Sequence, residues 1–183
     1  MEGDDRLRLF LALRLPDGAV AALARWQARE LAGAGRLVAP EHLHVTLAFL
    51  GSRPAAELPA ITGALAEAVA AARPFELEPV RYRETRAAGM LVLADESGEA
   101  ARLAADVHRR LEALGVYRPE ARPWLPHVTV VRYRERPRRR PPLPELVPVA
   151  PSDAAAFLSR LHPSGASYTV LQSFGFASFR LSQ

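Results

Sequence analysis

The chain has 183 residues, 49% of them apolar, which is enough to fill the core of a single domain spanning residues 1–183 and argues against disorder. Its net charge of +4 comes from 24 basic residues that are all Arg, and the lack of Lys excludes Schiff-base chemistry and the lysine of a P-loop. With no Cys, disulfides, thiolate zinc sites and cysteine nucleophiles are excluded as well, and no apolar run approaches the roughly 20 residues of a membrane span.

In chain order, the dense apolar run Leu7 to Leu15 predicts a central strand, stopped by Pro16. Val20, Leu23, Ala24 and Leu31 fall near one helical face, so a helix is expected from Asp17 to about Ala34, ended by Gly33 and Gly35. A short extended piece, Arg36 to Ala39, leads to a strand from Leu43 to Leu50, closed by Gly51. Leu58, Ile61, Leu65 and Val69 predict a second helix reaching about Ala72. Strands are expected over Phe75 to Glu84 and Gly89 to Ala94, then a helix capped by Ser97 with Leu103, Val107 and Leu111 on its buried face. A strand from His127 to Tyr133 follows. Arg132 to Arg140, rich in Arg and Pro, is expected as a mobile surface loop, and the chain closes with strands at Ala154 to Leu161 and Ser167 to Phe176, with a continuation toward Leu181.

One tetrapeptide pattern recurs: His44-Val45-Thr46-Leu47 and His127-Val128-Thr129-Val130. Five His and five Thr in a shuffled chain of this length give about 0.14 copies of H-x-T, so two are an excess. On a strand, residues i and i+2 share a face, so each copy presents an imidazole beside a hydroxyl while Val and Leu turn to the core. The motifs stand 83 residues apart, and the same shift lays the first predicted strand and helix over Met90 to Ser97 and Ala100 to Tyr117. The order strand, helix, H-x-T strand therefore occurs twice. It implies an α+β fold of two pseudo-symmetric lobes, each a mostly antiparallel sheet with helices on its outer face, with the H-x-T strands lining a central cleft.

Two facing imidazoles suit phosphodiester chemistry: one takes a proton from the attacking oxygen and the other gives one to the leaving oxygen. Thr46 and Thr129 can donate to phosphate oxygens, so no metal or cofactor is needed. Paired H-x-T motifs at this separation resemble the 2H phosphoesterase superfamily. Arg8-Leu9-Phe10-Leu11-Ala12-Leu13, Pro40-Glu41-His42-Leu43 and Pro126-His127-Val128-Thr129-Val130-Val131-Arg132 are similar to its RNA 2′,3′-cyclic phosphodiesterase branch, also called 2′-5′ RNA ligase.

That resemblance implies hydrolysis of the 2′,3′-cyclic phosphate ends of RNA to 2′-phosphates, with His44 as acid to O3′ and His127 as base to water. It also implies Arg132 as a phosphate contact, although plain alternation from His127 puts Arg132 on the opposite face unless a bulge intervenes. The alternatives are action on a small cyclic nucleotide or ADP-ribose cyclic phosphate, 2′-5′ ligation in reverse, a two-His metal site and, from another class, a non-catalytic RNA-binding module. The metal site lacks a third ligand at close spacing. His42, His108 and His162 are read as approach loop, solvated helix face and turn, and Phe10 and Trp124 as core. The expected setting is a cytoplasmic, monomeric protein whose partner is RNA and not a membrane, in keeping with an acidic start that lacks a signal-peptide pattern.

Overall fold

The computed structural model describes residues 5–177. The element order is β1 (Arg6–Arg14), α1 (Asp17–Glu30), β2 (Arg36–Leu37), β3 (His44–Pro54), α2 (Leu58–Ala71), β4 (Glu78–Glu84), β5 (Ala88–Ala94), α3 (Glu99–Ala113), β6 (His127–Arg132), β7 (Asp153–His162) and β8 (Gly165–Gly175). The strands form one antiparallel sheet in the order β4-β5-β6-β3-β1-β7-β8, with β2 added to β6. This is an α+β fold, as expected, but its strands make one continuous curled sheet where the repeat implied a separate sheet in each lobe.

β1 lies between β3 and β7, which is why it reads as a nearly continuous apolar run. Leu9, Leu11 and Leu13 turn fully buried side chains to the main core, while Phe10 and Ala12 join Ala155 and Phe157 in a small apolar layer on the other face. The sheet is continuous through a narrow joint. β3 and β6 pair at Val45↔Val128, the middle residues of the two H-V-T triplets.

Each flanking helix reaches the other half of the chain. Trp26 of α1 stands 6.3 Å from the Tyr82 ring on β4, and Gln27 reaches Val130 on β6. In the converse direction His108 of α3 reaches Leu47 on β3. The core is thus shared across the joint, and among the described residues no helix is long and apolar enough to cross a membrane.

Several boundaries differ from expectation. α1 stops at Glu30, four residues early: the Leu31 N–H closes its last turn on the carbonyl of Gln27, and the chain then turns back through Gly33, at φ +74°, with the Ala34 N–H on the carbonyl of Leu31. β3 runs past Gly51, whose φ of +68° fits a bulge at Leu50 and does not end the strand. The first turn of α3 is satisfied by Asp95 as well as Ser97: Ala100 N donates to Asp95 Oδ2 at 2.6 Å and Glu99 N to Ser97 Oγ at 3.2 Å. The Arg-rich segment after β6 lies on the surface but is tethered. The carboxylate of Glu84, 2% exposed, accepts from Arg136 Nε at 3.0 Å and from the backbone N–H groups of Arg138 and Arg139. The expected continuation toward Leu181 passes outside the described residues from 178 onward.

Candidate active site

Both histidines are oriented by their own backbone. His44 Nδ1 lies 2.7 Å from the carbonyl oxygen of His42, and His127 Nδ1 lies 2.8 Å from that of Leu125. A carbonyl only accepts, so each Nδ1 carries the proton and donates, leaving Nε2 as the working atom. His44 Nε2 is 3.1 Å from Thr46 Oγ1. Stepping one residue out from the antiparallel pair Val45↔Val128 brings His44 level with Thr129 and Thr46 level with His127.

His44, Thr46, His127, Thr129 and Arg132 all line one cleft of about 560 Å³. Arg132 is there because of the bulge that simple alternation lacked. Gly89 pairs with Val131 and Met90 with Thr129, so Val130 is an extra residue and everything beyond it changes face. The same device follows the first motif: Leu11 pairs with Ala48 and Ala12 with Thr46, which leaves Leu47 extra and turns Phe49 into the cleft. Phe49 and Arg132 each stand five residues beyond their His. Phe49 is 49% exposed, with the Arg8 guanidinium 4.7 Å from its ring centroid.

The bulges are held from the helix side. Gln27, 2% exposed, donates from Nε2 to the carbonyls of Val130 at 2.6 Å and Val38 at 3.1 Å. His108 Nε2 lies 2.7 Å from the carbonyl of Leu47 and therefore carries a proton, which corrects the expectation of a solvated helix face. Trp124 Nε1 donates to the carbonyl of Thr46 at 3.0 Å, so it supports the motif strand from outside the cleft.

Around His44 the floor is aromatic: the Phe10, Tyr168 and Phe157 rings lie 5.0, 5.7 and 6.0 Å from it. Burial in these surroundings pushes the imidazole down to about 4, against the pull of its hydrogen bond to the His42 carbonyl. Charge on His42, His127 and Arg132 lowers it further, so the two motif histidines are within electrostatic reach of each other. His42, set aside from sequence, lines the cleft with its ring 4.5 Å from Tyr168. Among the described residues no group of three or more His, Asp or Glu side chains converges as a metal site.

With this geometry in place, comparison with known proteins is decisive: the profile of the 2′-5′ RNA ligase superfamily matches residues 15–162. The chain belongs to the 2′-5′ RNA ligase superfamily. A Thermus thermophilus relative named RNA 2′,3′-cyclic phosphodiesterase is 35% identical over 189 residues, covering 92% of this chain and 89% of that one. Among solved structures, Escherichia coli LigT complexed with 3′-AMP superposes with a TM-score of 0.80 at 22% identity, over 95% of this chain and 100% of that one. A Thermus thermophilus protein of 30% identity gives a TM-score of 0.72 over 93% and 98% of the two chains. The family match thus takes in both H-x-T strands.

Proposed function

We propose that this superfamily member hydrolyses 2′,3′-cyclic phosphate ends of RNA to 2′-phosphates, using side chains alone. The observation that carries the reading is that two imidazoles, each tied back through Nδ1, open onto the same cleft from either side of the Val45↔Val128 joint. His127 Nε2 takes a proton from water as its oxygen bonds to phosphorus. The bond from phosphorus to O3′ breaks, and His44 gives O3′ its proton. Thr46, Thr129 and Arg132 hold the non-bridging oxygens while charge builds on them. The exposed face of Phe49 offers a surface for the terminal base. The name of the 35% identical relative supports the same activity. A cytoplasmic RNA-end reaction fits a chain without cysteine.

The test is product analysis on a short RNA ending in a 2′,3′-cyclic phosphate. A 2′-phosphate product, formed equally in chelator, is expected. His44→Ala and His127→Ala should each lower kcat by about a hundredfold to ten-thousandfold while the RNA still binds. Sulfur in place of O3′ leaves without a proton, so this substitution should restore turnover to His44→Ala and not to His127→Ala. Full activity in either variant refutes the pairing of roles. Binding without turnover in the unaltered protein marks an RNA-binding module instead.

A further inference from the structure

β2 places Arg36 directly opposite Arg132 on β6, and both side chains line the cleft. Like charges at opposed cross-strand positions repel. Among the described residues neither has a carboxylate partner, while Arg14, Arg53 and Arg110 elsewhere do. The pair is therefore unfavourable by itself and becomes favourable with an anion between or beside the two guanidinium groups.

Arg36 is nonetheless held in one place. Its Nη1 donates to the carbonyl of Ser164 at 2.9 Å, in the turn between β7 and β8. A Cβ on Gly165 would lie 2.3 Å from that nitrogen, so any side chain there displaces the guanidinium. A Cβ on Gly35 would lie 2.4 Å from the carbonyl oxygen of Arg132, so a larger residue would push β2 off β6. Two glycines thus keep open the position of this arginine. Beyond it a second cavity of about 680 Å³ opens toward Arg134, sharing Arg36, Arg132 and Ser164 with the cleft.

We propose that Arg36 binds the phosphate that precedes the terminal nucleotide, so that the site selects RNA strands over single cyclic nucleotides and the strand leaves through the second cavity. This rests on the reading of the cleft given above. The guanidinium fork matches two non-bridging oxygens, and a contact to the backbone carries no base identity. The chemistry stays with His44 and His127, and Arg36 contributes only to the affinity for the longer substrate.

The experiment compares the unaltered protein with Arg36→Ala on a short RNA and on a mononucleotide, both ending in the same 2′,3′-cyclic phosphate. Arg36 is exposed, so the variant should melt with the parent. Expected are a KM for the RNA raised about tenfold, an unchanged kcat, no change on the mononucleotide, and the same loss for every base sequence. The salt dependence of RNA binding should become shallower by about one unit of slope. Equal losses on both substrates, or no loss on the RNA, overturn the proposal. If the unaltered protein hydrolyses neither substrate, the catalytic reading fails while this one is still decided by anisotropy with a fluorescent RNA ending in a 2′-phosphate. Weaker binding to Arg36→Ala then upholds it, and unchanged binding overturns it.

Discussion

His44 carries the largest functional tension in the molecule. Packed against Phe10, Phe157 and Tyr168, it is held down to about 4 and so is neutral near neutral pH in the protein alone. An anionic phosphate beside the ring favours imidazolium, so substrate supplies part of what the acid role needs. The same burial has a consequence for stability. Between its ordinary value of 6.5 and about 4, the unfolded chain holds a proton on this residue that the folded chain does not. Stability therefore falls as pH drops through that window, by on the order of 3 kcal/mol in total, and this contribution is fully present above pH 6.5. Replacing His44 by Gln should flatten the acid limb of a plot of denaturation midpoint against pH. A limb as steep as in the parent would place the acid sensitivity elsewhere.

At the level of elements, the two H-x-T strands share one construction: His, Val, Thr, then an extra residue that turns the next cleft side chain inward. A bulge disturbs the ladder on its strand, and here a polar side chain from a helix of the opposite half donates to the carbonyl of the extra residue. Gln27 serves Val130 and His108 serves Leu47. The carbonyl of Val130 also receives the N–H of Val38 at 3.0 Å, so Gln27 braces β2 and β6 together where Arg36 and Arg132 meet. His108→Phe should destabilise by about 1–3 kcal/mol, since the Leu47 carbonyl loses its side-chain donor, and Gln27→Leu by about 1–2 kcal/mol, since the brace to the Val38 and Val130 carbonyls goes while Val130 keeps the N–H of Val38. Thermal melts measure this, and melting temperatures within error of the parent would show that the bulges hold without these donors.

For the molecule as a whole, the exchange of helices matters more than the repeat that produced it. β3 and β6 are joined at a single residue pair, too little to hold the two halves of the sheet together. α1 and α3 supply the rest by inserting Leu23, Trp26, Leu103 and Leu111 into one shared cluster. Neither half can bury its apolar face alone, so unfolding should be a single cooperative step. Denaturant curves followed by far-UV circular dichroism and by Trp fluorescence should coincide. Two separated transitions would mean that the halves fold independently.

What the sequence determined by itself was local or periodic. The strand and helix periods, the doubled H-x-T and the 83-residue offset are all carried by residues near one another in the chain, and the structure has those elements in that order. They were enough to single out His44, Thr46, His127 and Thr129 as neighbours of one cleft. Tertiary structure alone decided what depends on register between distant strands. One extra residue at Val130 sets the face of Arg132, another at Leu47 brings in Phe49, and two close backbone approaches at Gly35 and Gly165 place Arg36. The same is true of the Arg-rich segment, whose tether on Glu84 spans more than 50 positions. A strand's side-chain period is two, so a single inserted residue reverses every face beyond it, and no local pattern records whether the partner strand makes room for one.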